Sequence, residues 1–263
     1  MSLSDNIKNV IESYRSFSLK EAEAVKLMKR VDTKYVIRAD DAFDLLNDMR
    51  QDYHVLEIES QRAGTYISTY YDTCDRRMYH AHVTNRLPRY KVRVRSYSQN
   101  GLKFFEVKQK NNKRLTSKQR ISITESISES GIEAIEWLSQ QTPFSGNELT
   151  PSLISSFERI TLINDKKTER VTLDFNLYYR TLAGEVTPVF DKGAIVELKQ
   201  EKTADSKIKD YLRNKGIRPA RISKYCAGLL FTGSEIAFKL YKPKYSQFIK
   251  KIQYEPINSI CTV

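Results

Sequence analysis

The chain has 263 residues, of which 44 are Lys or Arg and 32 Asp or Glu, a formal net charge of +12. A 40% hydrophobic and 29% charged composition excludes disordered and collagen-like chains, and no apolar run reaches the roughly 18–20 residues that span a bilayer. The first residues lack the apolar stretch of a signal peptide, and three scattered cysteines (Cys74, Cys226, Cys261) form no CxxC pair, so a cytoplasmic chain without a disulfide framework or zinc knuckle is expected.

In chain order, Ser18-Leu-Lys-Glu21 fits a capping box that opens a helix to about Arg30, within an N-terminal helical segment over 1–29. Phe43, Leu46 and Met49 predict a second, amphipathic helix over 40–51. Further helices are predicted over 131–140, over 204–215 (stopped by Gly216) and over 223–232. Trp137 on the 131–140 helix reads as packing. Period-two alternation predicts strands at 31–38, 65–71, 89–97, 103–110, 118–125, 169–178, 186–190 and 194–200. His80 and His82 would share one strand face, a weak metal pair, and Asp72 and Asp75 would shape a turn. No internal repeat or Pro/Gly-rich linker divides the chain. One α+β domain rich in antiparallel strands is expected over 30–232, with 233–263 as a C-terminal helix or tail packed on it.

The charge is uneven. From Arg86 to Arg120 twelve basic residues accompany a single acid, Glu106; from Ile121 to Asp165 seven acids accompany Arg159 alone; from Lys199 to Lys224 nine bases accompany three acids. The basic residues alternate with apolar ones: Lys91, Arg93 and Arg95 oppose Val92 and Val94; Lys108 and Glu106 oppose Phe105 and Val107; Lys118 and Arg120 oppose Ile121 and Ile123; Glu197 and Lys199 oppose Val196 and Leu198. An ordinary solvated sheet face would mix signs, because like charges opposite each other destabilise a sheet. Two cations about 6 Å apart repel by roughly 2.8 kcal/mol at an effective dielectric of about 20. A closed antiparallel barrel with its polar faces inward around a polyanion removes that cost. Arg forks and Lys point charges suit phosphate, and Glu offers a hard oxygen to Mg²⁺ or Mn²⁺.

Eight short stretches, in this order, resemble the VTC domain, the catalytic domain of polyphosphate polymerases within the triphosphate tunnel metalloenzymes, which are relatives of the CYTH family. They are Arg30-Val-Asp-Thr-Lys-Tyr35, Thr69-Tyr-Tyr-Asp-Thr73, Lys91-Val-Arg-Val-Arg-Ser-Tyr97, Phe105-Glu-Val-Lys108, Phe157-Glu-Arg159, Arg170-Val-Thr-Leu-Asp174, Val196-Glu-Leu-Lys199 and Ser223-Lys-Tyr225. The resemblance implies a closed eight-stranded antiparallel tunnel with flanking helices, binding ATP and inorganic polyphosphate with Mn²⁺ or Mg²⁺. It implies Lys34, Arg93, Arg95, Lys108, Arg159, Lys199 and Lys224 as catalytic cations, with Lys91, Arg120, Arg221 and Ser223 binding phosphate. It implies Glu197 as the metal ligand. Glu106 and Asp32 could assist the metal or pair with neighbouring cations.

Three departures stand out: Arg221 occupies an expected lysine position, Phe157 an often-tyrosine position, and Arg30-x-Asp32-x-Lys34 replaces the Glu-x-Glu-x-Lys of plain CYTH enzymes. The last swap favours binding a phosphate chain over two-metal hydrolysis. The regulatory SPX domain and membrane helices of eukaryotic members are not found, so the chain is expected to be essentially the catalytic module. A product that must cross a membrane would then need a separate membrane protein. A hydrolase of the same fold, a non-catalytic polyphosphate-binding module and a basic nucleic-acid-binding domain remain as alternatives, although no recognition helix, RRM or KH pattern is present.

Overall fold

The structure, a computed structural model, describes residues 3–24, 30–124, 131–190, 193–201 and 205–233. The strands are β1 (Arg15–Ser18), β2 (Arg30–Arg38), β3 (Tyr53–Glu57), β4 (Gly64–Asp72), β5 (Arg89–Tyr97), β6 (Lys103–Lys110), β7 (Thr116–Ile123), β8 (Thr150–Asn164), β9 (Glu169–Arg180), β10 (Val186–Phe190) and β11 (Gly193–Glu201). The helices are α1 (Leu3–Glu12), α2 (Leu19–Ala24), α3 (Ala39–Met49), α4 (Arg77–Val83), α5 (Gly131–Gln141), α6 (Lys207–Asn214) and α7 (Lys224–Phe231). The expected C-terminal helix or tail over 233–263 lies, apart from Gly233, outside the described residues.

Eight strands form one path in the order β2-β11-β9-β8-β4-β5-β6-β7, with every neighbouring pair antiparallel. β3 extends the wall beside β8, β1 lies parallel to β3, and β10 pairs with β9. Among the described residues no ladder joins β2 to β7, so the α+β tunnel is a curled wall rather than a hydrogen-bonded ring. The curl still brings its far sides together. Lys108 on β6 feels the charges of Lys34 and Asp32 on β2 and of Glu197 and Lys199 on β11. β7, at the open edge, is exposed along most of its length and carries Lys118 and Arg120, charges that discourage pairing with a stray strand.

The outer faces are apolar, as the alternation requires, and helices cover them. Tyr35, Ile37, Ile160, Leu162, Val171, Leu173, Val196 and Leu198 pack with Ile7 and Ile11 of α1, Leu45 and Leu46 of α3, and Ile208 and Leu212 of α6. On the other side Val92, Val94, Phe105 and Val107 pack with Ala134 and Leu138 of α5, and Trp137 meets Phe105 at 5.4 Å between ring centroids. A third cluster lies on the inner face: Val36, Tyr70, Leu153, Phe157, Leu177, Tyr179 and Ile195 close around α7. One part of the lumen is therefore filled by a helix, and the charged part stays open.

The capping box is present: Ser18 N and Oγ both donate to Glu21 Oε2 at 2.8 Å, and Glu21 N donates back to Ser18 Oγ at 3.3 Å. Residues 77–83 are helical, which corrects the strand reading of His80 and His82; residues two apart on a helix point to opposite sides. The helix starts there because Asp72, wholly buried, accepts from Met78 N at 2.9 Å and Tyr79 N at 3.0 Å, while Thr73 Oγ1 accepts from Arg77 N at 2.9 Å. Asp72 also accepts from Tyr225 Oη at 2.7 Å, which ties α4 to α7.

Gly228 lets α7 sit this deep. A Cβ there would lie 2.5 Å from the Tyr179 ring and would also strike Leu153. Gly228→Ala should cost roughly 1–3 kcal/mol by overpacking, and the thermal midpoint should fall by about 3–10 °C in a melting experiment. An unchanged midpoint would mean that the helix is not seated in the wall.

Candidate functional site

Cross-strand register sets the charged lumen. Arg93 lies opposite Glu106, Lys91 opposite Lys108, Lys34 opposite Glu197, and Arg159 opposite Asp174. Partners directly opposite share a face, so these residues all project inward. Their sequence neighbours fill the outer core, which fixes the choice of face.

Two carboxylates organise the cations. Glu106 is 2% exposed, and both its oxygens are taken: Arg93 approaches to 2.6 Å and Lys118 to 2.5 Å. Burial works against its charge, but Arg93, Arg95 and Lys118 prevail and hold its pKa at about 2. Of the two roles open to Glu106 in the sequence, pairing with neighbouring cations is the one this geometry displays. Asp174 holds Arg159 in a two-pronged contact of 2.5 and 2.8 Å and also accepts from Lys224. Burial opposes its ionisation too, yet Arg159 and Lys224 keep it far below the usual carboxylate range.

Arg95, 7% exposed, donates from Nε to Ser68 Oγ at 3.1 Å and is held by no carboxylate contact among the described residues. Burial first, then Arg93, pull its pKa down. Below it lies an aromatic floor. Tyr66 and Phe157 stack at 5.5 Å, and Arg95 stands 5.7 and 5.9 Å from the two ring centres. Arg159 stands at 5.0 and 5.3 Å, and Lys224 at 4.2 Å from Phe157. The rings steady three cations without neutralising them.

Glu197 sits between Lys34 at 3.8 Å and Lys199 at 3.4 Å, contacts loose enough to leave its oxygens accessible. Burial opposes its charge, and Lys34 followed by Lys199 holds its pKa at about 2, so it is a carboxylate at every physiological pH. Among the described residues no group of three or more His, Cys, Asp or Glu could cage a metal. A metal held by one or two carboxylates plus phosphate oxygens needs no such cage, so Glu197 fits that mode of binding. Two further inward hydroxyls, Ser155 Oγ and Thr172 Oγ1, are buried without a hydrogen-bond partner among the described residues. Thr172 lies opposite Glu197, and Ser155 opposite Ser68. Unsatisfied hydroxyls in a cationic lumen suit a ligand rich in oxygen acceptors.

Lys91 donates to Ser223 Oγ at 3.1 Å, and Ser223 caps α7, accepting from Cys226 N at 3.4 Å. Two expected phosphate binders are exposed, of which Arg120 lies directly opposite Glu106 in the β6–β7 register and so shares its inward face. Arg221 is exposed and lies near Arg89, whose pKa burial lowers first, with Arg221 adding to the shift against the pull of Cys226. Arg120 is exposed on β7, with its guanidinium 4.4 Å from the Phe104 ring centre. Residue patterning alone left out Lys118 and Asp174 as site residues, although both lie on the polar side of their strands. Their partners depend on register, which alternation does not reveal.

The family model described as "VTC domain" matches residues 29–232, most of the chain. No curated protein is similar enough in sequence to count as a match. A crystal structure of a putative adenylate cyclase from Bacillus halodurans is 12% identical, with 74% of this chain and 94% of that one covered and a TM-score of 0.50, a likeness of fold. A putative adenylyl cyclase from Hippeastrum, titled as revealing a dominant triphosphatase activity, is 14% identical, with 76% of this chain and 94% of that one covered and a TM-score of 0.45. Among the described residues no helix is long and apolar enough to cross a membrane.

The Glu106 pairs are open to a direct test. Glu106 has a depressed folded-state pKa, so its contribution is complete above the ordinary carboxylate value of about 4.5 and is lost as pH falls toward about 2. Glu106→Gln should destabilise the protein at pH 7 by on the order of 3 kcal/mol, and the gap from wild type should close between pH 4.5 and 2. Urea unfolding across that range measures it, and a gap independent of pH would contradict the ion pairs.

An inward-facing set of cations, ordered by Glu106 and Asp174 and carried on strands that the family match spans from end to end, places this chain in the VTC domain family.

Proposed function

We propose that the chain is a polyphosphate polymerase-like phosphotransferase that moves the γ-phosphoryl of ATP onto the end of an inorganic polyphosphate chain inside the tunnel. The observation that carries this reading is the position of the cations: Arg95 is buried and Arg93 and Arg159 are half-buried on inner faces, where a narrow polyanion reaches them and duplex DNA does not. Phosphoryl transfer of this kind depends on positioning and charge neutralisation more than on covalent help from the protein. Arg95, which makes no carboxylate contact among the described residues, takes phosphate oxygens first. Arg93 and Arg159 exchange part of their hold on Glu106 and Asp174 for the substrate. Lys34, Lys108 and Lys199 converge from three strands on the region around Glu197 and draw donor and acceptor phosphates together.

A terminal oxygen of the chain bonds to the γ-phosphorus, the bond from that phosphorus to the β–γ bridging oxygen breaks, and ADP leaves. No side-chain nucleophile is required. A divalent ion, Mn²⁺ or Mg²⁺, held at Glu197 would supply charge neutralisation across the phosphates. A product destined for another compartment would be passed to a separate membrane protein.

Incubation with ATP and Mn²⁺ should yield phosphate chains resolvable on a gel. Glu197→Gln and Arg159→Ala should each lower the rate by about 10²–10³. Free phosphate as the sole product would make the chain a hydrolase, and tight polyphosphate binding without turnover would make it a sensor.

A further inference from the structure

Lys91, like Arg95 and Lys108, lacks the carboxylate contact that the other lumen cations make among the described residues. Arg93, Lys118, Arg159 and Lys224 each contact a carboxylate, and Lys34 and Lys199 flank Glu197. Among the described residues no carboxylate lies within ion-pairing distance of Lys91, and its one hydrogen bond goes to the neutral Ser223 Oγ at 3.1 Å. The groups facing it are Arg93 on its own strand, Lys34 from β2, Lys108 from β6, and Ser223 and Cys226 from α7. Lys108 is directly opposite in the register. Ser223 Oγ, which Lys91 meets, also accepts from Cys226 N in the first turn of α7, so Lys91 lies beside the positive end of that helix.

A half-buried ammonium among three cations at the start of a helix is disfavoured until an anion arrives. Once a phosphoryl group lies among these groups, each repulsion is offset by an attraction and the ammonium becomes the favoured form. Consistently, burial, joined by Lys34, Lys108 and Arg93 and opposed by Cys226, brings the pKa of Lys91 down to about 7, so near neutral pH the free protein holds it partly uncharged.

We propose that Lys91, Lys108 and Ser223 at the start of α7 form a phosphoryl subsite that takes up a proton from solvent as it fills. The proposal rests on the phosphate-binding reading of the lumen and adds a linkage to it: affinity for polyphosphate falls as pH rises above neutrality. The loss approaches tenfold per pH unit while Lys91 is uncharged in the free protein and charged in the complex.

Metal-free titration calorimetry with tripolyphosphate at pH 8, in two buffers of different ionisation enthalpy, counts the protons taken up. Wild type is compared with Lys91→Arg, which is charged throughout, and with Lys91→Met, which carries no proton. Lys224, whose pKa is lowered to about 8 by burial against the pull of Asp174, and the ligand itself contribute a background common to all three. Wild type should take up about half to one proton more than either variant. Lys91→Arg should bind more tightly than wild type at pH 8.5 with a shallower pH dependence. If Lys91→Arg fails to fold, as a melt would show, Lys91→Met alone carries the comparison. Uptake equal in wild type and variants overturns the proposal. Absence of tripolyphosphate binding to any of the three overturns the phosphate-binding reading beneath it.

Discussion

Repulsion among cations confined in a lumen is the constraint on which the rest of this structure depends. Each close pair costs on the order of 3 kcal/mol, comparable to a sizeable share of a domain's whole stability. Two buried acids contain it. Glu106 joins Arg93 to Lys118 across β5, β6 and β7, and Asp174 joins Arg159 to Lys224 across β8, β9 and α7. Each acid holds two cations on different elements, so the same contacts that limit repulsion also fix the curvature of the wall. Buried ion pairs of this kind are a weak source of net stability, and an apolar core would serve the fold at least as well. Their presence therefore points to a requirement for cations in that place.

The stability lost inside is supplied outside. Alternation along β5, β6, β9 and β11 directs Val, Leu, Ile and Phe to the outer faces, where α1, α3, α5 and α6 cover them. The inner face is divided. Around α7 it is apolar, with Tyr70, Leu153 and Tyr179 packed on the helix, and beyond Ser223 it is polar. The boundary is a chain of contacts from Lys91 to Ser223 to the first turn of α7, which couples the open part of the lumen to the seating of the plug helix.

Much of this was legible in the residues. Strands 89–97 and 103–110 fall where alternation places them, since each has a plainly different pair of faces, and 186–190 is a strand as well. β8, the longest strand, carries no such signal. Leu153 and Phe157 pack inward on α7 while Ile160 and Leu162 pack outward, so apolar residues occupy both faces, and a bulge on the partner strand β9, between the Ser156–Tyr178 and Glu158–Phe175 pairs, shifts the register. α4 was misread because its start depends on Asp72, whose capping role is visible only once Tyr225 is beside it. For the site, the inward direction of Arg93, Arg95, Lys108 and Glu197 was readable from spacing. The pairing of Arg159 with Asp174 was not, because it depends on the register beyond that bulge. The isolation of Lys91 was hidden for the same reason: the sequence shows the charges, and only the fold shows which of them meet an acid.

The central claim is that phosphate oxygens take the place left open among the inward cations. A crystal structure with bound tripolyphosphate tests it most directly. Phosphorus density within hydrogen-bonding reach of Arg95, Lys108 and Lys199, with Glu106 still paired to Lys118, is the expected result. Phosphate confined to the outer surface, with the lumen holding only water, would contradict it.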